Sequence, residues 1–204
     1  MSKKTPVSRA RRFAIAALLY CSAVAIGLGS AWWVMKKSPW LNKSLQVGAW
    51  KTNLGAGSQD ADLYTRASIA VNALLALDRS ETMYFVAVTD DDGRNLRSTC
   101  SYRVSGMPPK ARWWSVTAYA DDMFLFDAPN KHYSLNGSNA RLDAQGQFSF
   151  LLSPQPPQGA EYWVPMVGSR GAVLTLRMYN PAPEMQANPG SLVPIRIERL
   201  GDCA

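Results

Sequence analysis

The residues with chemistry to offer fall in a few places along the chain. Trp113, Ser115, Thr117 and Tyr119 alternate with Trp114, Val116 and Ala118. In an extended strand successive side chains point to opposite faces, so the first four share a face that mixes aromatic rings with hydroxyls. Trp163, Arg177 and Tyr179 lie on later runs of similar character. Such a set can hold a sugar, a glycan or an amphiphile. The same residues also make ordinary β-sheet core, with Arg177 buried and paired. These seven are the candidate ligand-binding residues.

Catalytic constellations are hard to assemble. A hydrolytic triad needs a nucleophile, a base and an orienting acid. The chain has one histidine, His132, between Lys131 and Tyr133, and no G-x-S-x-G elbow. His132 is expected to be exposed on a turn. Asp121 and Asp122, beside the aromatic strand, are the carboxylates that a glycan- or lipid-modifying enzyme would use. Asp90 to Asn95 hints at a calcium loop. However, such loops alternate their acidic ligands and end in a distant glutamate. A solvated hairpin turn is the better reading. No cysteine and histidine set fits zinc. No metal, no cofactor and no catalytic residue is expected.

There are 3 cysteines. Cys21 sits inside an apolar run, while Cys100 and Cys203 lie beyond it. In an oxidising compartment the latter two can form a bridge that clasps the end of the sequence to a strand; in a reducing one they are buried thiols. The bridge would close a loop worth about 4 to 5 kcal/mol in the chain-entropy model.

Charge locates these residues in the cell. Of the 22 basic residues, Lys3, Lys4, Arg9, Arg11 and Arg12 precede the uncharged run Phe13 to Met35, and Lys36, Lys37, Lys43 and Lys51 follow it. The remaining 13 stand against all 15 acidic residues, so the rest of the chain is near −2. The formal net charge of +7 is therefore a flank of the apolar run and not a groove for phosphates. Nucleic acid is excluded as a partner. The run itself is long enough to cross a hydrocarbon core as a helix. Trp32 and Trp33 resemble an interfacial belt. Five positive charges before the span favour a cytoplasmic N-terminus and an exported C-terminal domain. A cleavable signal peptide ending near Gly29-Ser30-Ala31 is the competing reading. The length of the run favours a retained anchor, with the membrane as a partner through residues 13–35.

The elements that must position the candidate residues are mostly strands. A polar stretch with Gly48, Gly55 and Gly57 reads as a juxtamembrane linker with one short ordered piece around Trp50. Asp60 can cap a helix whose Leu63, Ala67, Ala70, Leu74 and Leu77 form one apolar stripe, to be packed on a sheet. Thr82 to Thr89 and Leu96 to Val104 then read as a hairpin about Asp90–Gly93. Further strands are expected over 112–120, 123–126, 133–135, 147–152, 162–167, 172–179 and 192–200. Many short strands and no second long helix argue a β-sandwich or jelly roll. The expected organisation is a basic tail over 1–12, a transmembrane helix over 13–35, a linker over 36–59 and a β-sandwich domain over 60–204.

A family resemblance rests on several of these residues. Tyr64-Thr65-Arg66-Ala67 is followed by Tyr84, Asp90 to Leu96, Tyr102 and Pro108-Pro109. Then come Trp113-Trp114-Ser115-Val116-Thr117-Ala118-Tyr119, Tyr133-Ser134-Leu135, Trp163-Val164-Pro165 and Leu176-Arg177-Met178-Tyr179-Asn180-Pro181. In this order they resemble the uncharacterised bacterial family called domain of unknown function 1214, over roughly 60–200. The chain departs from the family pattern at Tyr162, Met166, Val167 and Asp143 to Gln147. The resemblance implies a jelly-roll-like antiparallel β-sandwich and no established activity. It also implies a protein of a companion family, domain of unknown function 1254, as a partner. For a bacterial chain the expected location is the inner membrane, with a periplasmic domain.

Overall fold

The computed structural model describes residues 9–37, 44–55, 57–58, 61, 63–71, 77–159, 162–201 and 203. The chain forms two compact units, residues 1–42 and 43–204.

The first unit is helix α1, Arg9–Lys37. Its 29 residues span about 43 Å at the usual helical rise. Leu18, Ile26 and Leu28 are exposed. The stretch Arg9–Val34 is long and apolar enough to cross a membrane. Its two serines do not leave hydroxyls bare: Ser22 donates to the Leu19 carbonyl and Ser30 to that of Gly27. This local back-bonding is how a serine is tolerated where water is absent.

The second unit is a two-sheet β structure. In chain order its elements are β1 (Ser44–Val47), β2 (Trp50–Asn53), α2 (Leu63–Val71), β3 (Thr82–Ala87), β4 (Ser101–Gly106), β5 (Ala111–Ala120), β6 (Ser134–Asn136), β7 (Phe148–Ser153), β8 (Trp163–Pro165), β9 (Ala172–Pro181), α3 (Pro183–Ala187) and β10 (Arg196–Leu200). One sheet runs β1-β2-β3-β9-β5-β6, all antiparallel; the other runs β10-β4-β7-β8. β8 joins β7 in parallel, so the second sheet is mixed.

The period-two alternation places one parity of each long strand between the two sheets. Trp114, Val116 and Ala118 of β5 meet Leu174, Leu176 and Met178 of β9, with Met83 and Phe85 of β3 alongside. Tyr102 and Val104 of β4, Phe148 and Phe150 of β7 and Ile197 of β10 supply the opposing layer. The Trp114 and Phe148 rings stack across the two layers with centroids 4.7 Å apart. Burial of this apolar surface is the main driving force for the fold.

Four expectations are corrected. The segment over 36–59 is more than a linker around one ordered piece, because β1 and β2 form a hairpin that extends the larger sheet. Trp50 on β2 is wholly buried and donates its indole N–H to the Ile195 carbonyl at 2.7 Å. Helix α2 forms, but Leu63 is 82% exposed while Thr65 is buried. Two residues correspond to about 200° around a helix, so the inward side is opposite the predicted stripe at that point. Asp60 and Leu74 lie outside the described residues. The strands flanking Asp90–Gly93 do not remain a hairpin. The Leu96 N–H bonds the Val88 carbonyl, yet β3 then pairs with β2 and β9 while β4 pairs with β7 and β10. Alternation fixes which side chains point inward but is silent on which sheet a strand joins. Finally, 123–126 is a turn with a single bridge from Tyr119 to Leu125, not a strand. Met123 sits there in the left-handed region at φ 66°, outside the extended region of a regular strand.

Cys100 and Cys203 are joined in a disulfide, with Cα atoms 4.2 Å apart. Cys100 is buried immediately before β4.

Candidate functional site

Antiparallel pairing of β5 with β9 sets the candidate residues side by side. Trp113 lies opposite Tyr179, Ser115 opposite Arg177, Thr117 opposite Thr175 and Tyr119 opposite Val173. These positions form the outer face of the larger sheet, away from the Trp114 layer. On the other side of β9, Tyr84 of β3 lies opposite Arg177.

The face has an aromatic end and a polar middle. The Trp113 ring meets Tyr179 edge-on, with centroids 5.3 Å apart, and its indole N–H donates to Ser138 Oγ at 3.0 Å. Trp113 is 36% exposed. Arg177 donates from Nη2 to the Tyr119 hydroxyl at 3.0 Å, and its guanidinium lies 5.3 Å from the Tyr119 ring centroid. That combines a hydrogen bond with a cation–π contact. Ser115, Thr117 and Thr175 are buried. Among the described residues the Thr175 hydroxyl has no hydrogen-bond partner. Burial pushes the Tyr84 phenol up, Tyr179 adds to this, and the Arg177 charge pulls the other way. Tyr84 was not among the residues singled out from the sequence; the pairing of β3 with β9 puts it on this face.

Trp163 stands apart from the other six. It belongs to β8 of the smaller sheet, and its indole N–H donates to the Ser153 carbonyl at 3.1 Å. Its backbone carbonyl accepts from Asn130 Nδ2. The neighbouring Tyr162 stacks on His132, with centroids 4.7 Å apart and planes within 7°. Burial raises the Tyr162 phenol. His132 is exposed, as expected.

The turn after β3 is less solvated than the sequence implied. The Asp90 side chain is 1% exposed. Its Oδ1 accepts from the Arg94 N–H at 2.8 Å, and its Oδ2 from the Arg199 and Arg94 guanidinium groups at 2.9 and 3.1 Å. Burial alone would raise this carboxyl; the Arg94 N–H and the two arginines outweigh it and hold it below its ordinary value. Arg199 also reaches Cys203 Sγ at 3.2 Å, tying the disulfide to the turn. Asp90 is therefore a structural anion. Among the described residues no three His, Cys, Asp or Glu side chains converge as a metal would require.

Asp121 and Asp122 lie on the turn after β5, and both pair with Arg170. The Asp122 carboxyl is held low chiefly by the Phe124 N–H. Asp121 also lines a cleft of about 470 Å³ together with Arg97, Arg170 and Val173. The cleft opens at the end of the outer face opposite to Trp113.

Comparison with known proteins bears on fold and family. The structure is similar to that of the VPA0106 protein from Vibrio parahaemolyticus, with a TM-score of 0.58 and 20% identity, over 70% of this chain and 36% of that one. A putative uncharacterized protein from Burkholderia cenocepacia matches at a TM-score of 0.40 and 20% identity, over 59% of this chain and 29% of that one. The chain thus spans about a third of the length of the solved proteins it matches. The first likeness is one of fold. No curated protein matches the sequence. The family model described as Protein of unknown function (DUF1214) matches residues 81–183, a stretch that runs from β3 through β9, and the chain belongs to that family.

Proposed function

We propose that this chain is an inner-membrane-tethered protein whose exported domain binds a partner protein or an envelope molecule without catalysis. The observation that carries the reading is the Trp113–Tyr179 pair on the outer face. It is a large, half-exposed aromatic surface, fixed by an edge-on contact and by the bond to Ser138. Rigid amphipathic aromatics of this kind are enriched where proteins meet partners. Beside it, Arg177 and Tyr119 add a guanidinium and a phenol. A protein of the companion family, domain of unknown function 1254, is the proposed partner.

Export is supported by α1, by the basic residues before it and by the Cys100–Cys203 bridge, since disulfides persist in oxidising compartments. The N-terminus then lies in the cytoplasm and the domain in the periplasm. A photo-crosslinking residue at position 113, in intact membranes, tests the binding reading. A discrete adduct from position 113, missing from position 112, is expected. Loss of the fold in Trp113→Ala, or labelling that does not depend on position, would count the aromatics as core instead. The mass of the mature protein tests retention of α1; a chain starting near Trp32 would rule out the anchor.

The second reading is an enzyme that modifies an envelope glycan or lipid, favoured by the cleft beside Asp121. Glycoside chemistry uses two carboxylates roughly 5 to 10 Å apart across the substrate. Among the described residues Asp121 is the only carboxylate lining the cleft. The binding reading is the better supported.

A further inference from the structure

We infer, on the binding reading above, that the molecule held at the Trp113 end of the outer face is an acidic saccharide: a sugar ring set against Trp113 with its carboxylate on Arg177.

Charge on the larger sheet is one-sided. Its six strands contain Lys51, Arg112 and Arg177 and no Asp or Glu. The nearest acidic residues along the chain lie beyond the strand ends. Glu81 precedes β3 with the parity of Met83 and Phe85, which belongs to the inner face. Asp121 is paired with Arg170 at the far end. Among the described residues Arg177 therefore has no carboxylate to neutralise it. Its one hydrogen bond there runs from Nη2 to the Tyr119 hydroxyl, which leaves the other guanidinium N–H groups to spare.

Thr175 points to the same place. It is the next outward residue on β9, and it is wholly buried. Its hydroxyl has no hydrogen-bond partner among the described residues. A buried hydroxyl is normally paired with protein, water or ligand. A half-buried, unmatched guanidinium beside such a hydroxyl calls for oxygen atoms, and the positive charge selects anionic ones.

The spacing suits a sugar. Trp113 lies opposite Tyr179, so Arg177 is one strand across and one outward position along. Ordinary strand geometry then separates the two Cα atoms by about 8 Å. A pyranose on the indole can extend a ring carboxylate over that distance to the guanidinium. Trp113 is 36% exposed and held by Ser138 and Tyr179. It thus presents a fixed apolar surface to the C–H face of a sugar. Lys51, exposed on β2 opposite Val86, adds a second cation for a further acidic residue. A neutral glycan leaves Arg177 unmatched, and a bare anion makes no use of Trp113.

The test uses the full chain in zwitterionic nanodiscs, with the Trp113 indole N–H resonance as reporter. Trigalacturonate, its methyl ester and acetate are titrated in turn: ring with charge, ring without charge, charge without ring. Trigalacturonate should shift the resonance saturably, and the ester and acetate should each bind about tenfold more weakly or worse. Arg177→Gln should weaken trigalacturonate binding about tenfold or more. Lys51→Glu, at an exposed position where folding is not at stake, should weaken it about threefold. Arg103→Gln, on the smaller sheet, should leave it unchanged. The backbone amide spectrum of each variant reports the fold. The proposal is overturned if trigalacturonate gives no saturable shift, if the ester or acetate matches it, or if Lys51→Glu or a folded Arg177→Gln protein binds as before. Any of these results alongside a position-113 adduct in membranes would overturn the acidic saccharide and leave the binding reading standing.

Discussion

Asp90 holds together groups that are far apart in sequence. It takes hydrogen bonds from a backbone N–H and two guanidinium groups, and one of those, Arg199, extends to the disulfide. The Arg199 side chain is 13% exposed. Removing the anion leaves that cation nearly buried and unmatched, a situation that costs about 3 kcal/mol or more. Asp90→Asn should therefore lower stability by that order in urea unfolding. The pH dependence has a definite sign. The carboxyl is held below its unfolded value of about 3.9. Its contribution is complete above that value and is lost as pH falls through the lower, folded value. Wild-type stability should fall below about pH 4 with a limb that Asp90→Asn lacks; an identical acid limb in the variant would refute the assignment. The buried side of this turn was illegible in the sequence. Three consecutive aspartates before a glycine look solvated, and the arginine that buries the first of them comes 109 residues later.

At the scale of elements, the hairpin of β1 and β2 carries the larger sheet beyond β3. Trp50 fills the interior there and closes a bond to the Ile195 carbonyl. Trp50→Ala should cost about 3 to 5 kcal/mol, as large-to-small changes at buried aromatics do, and a truncated chain starting at residue 60 should lose cooperative unfolding. Near-wild-type melting of either would show the hairpin to be an appendage. The two parities of β5 were legible in the sequence because alternation survives burial, but not which of them faces the other sheet: Trp114, Val116 and Ala118 do, while Ser115 and Thr117 on the opposite face are buried as well. Strand partnership was not legible either, because β3 and β4 share a turn and then enter different sheets. That choice is made by long-range pairing with β9, β7 and β10, which no local pattern encodes. For the same reason six of the seven candidate residues fall on one face while Trp163, equally aromatic, sits on the other sheet.

The whole molecule joins an apolar helix to a β domain fastened by one disulfide. Cys203→Ser should lower stability by about 4 kcal/mol in the chain-entropy model, read as a fall in the melting temperature that dithiothreitol reproduces in the wild type. No change under reduction would mean that the bridge does not constrain the unfolded chain. The same bond sets a timetable for biogenesis. Cys100 is synthesised 103 residues before its partner, an interval of about 5 to 20 s at ordinary elongation rates. Through that interval β4 lacks β10, its neighbour on one side. A nascent chain emerging vectorially thus presents a reactive thiol with no correct mate, and the smaller sheet can close only after the last strand arrives. Pulse-chase labelling should accordingly capture Cys100 first as an adduct with an oxidoreductase, and the native bridge only afterwards.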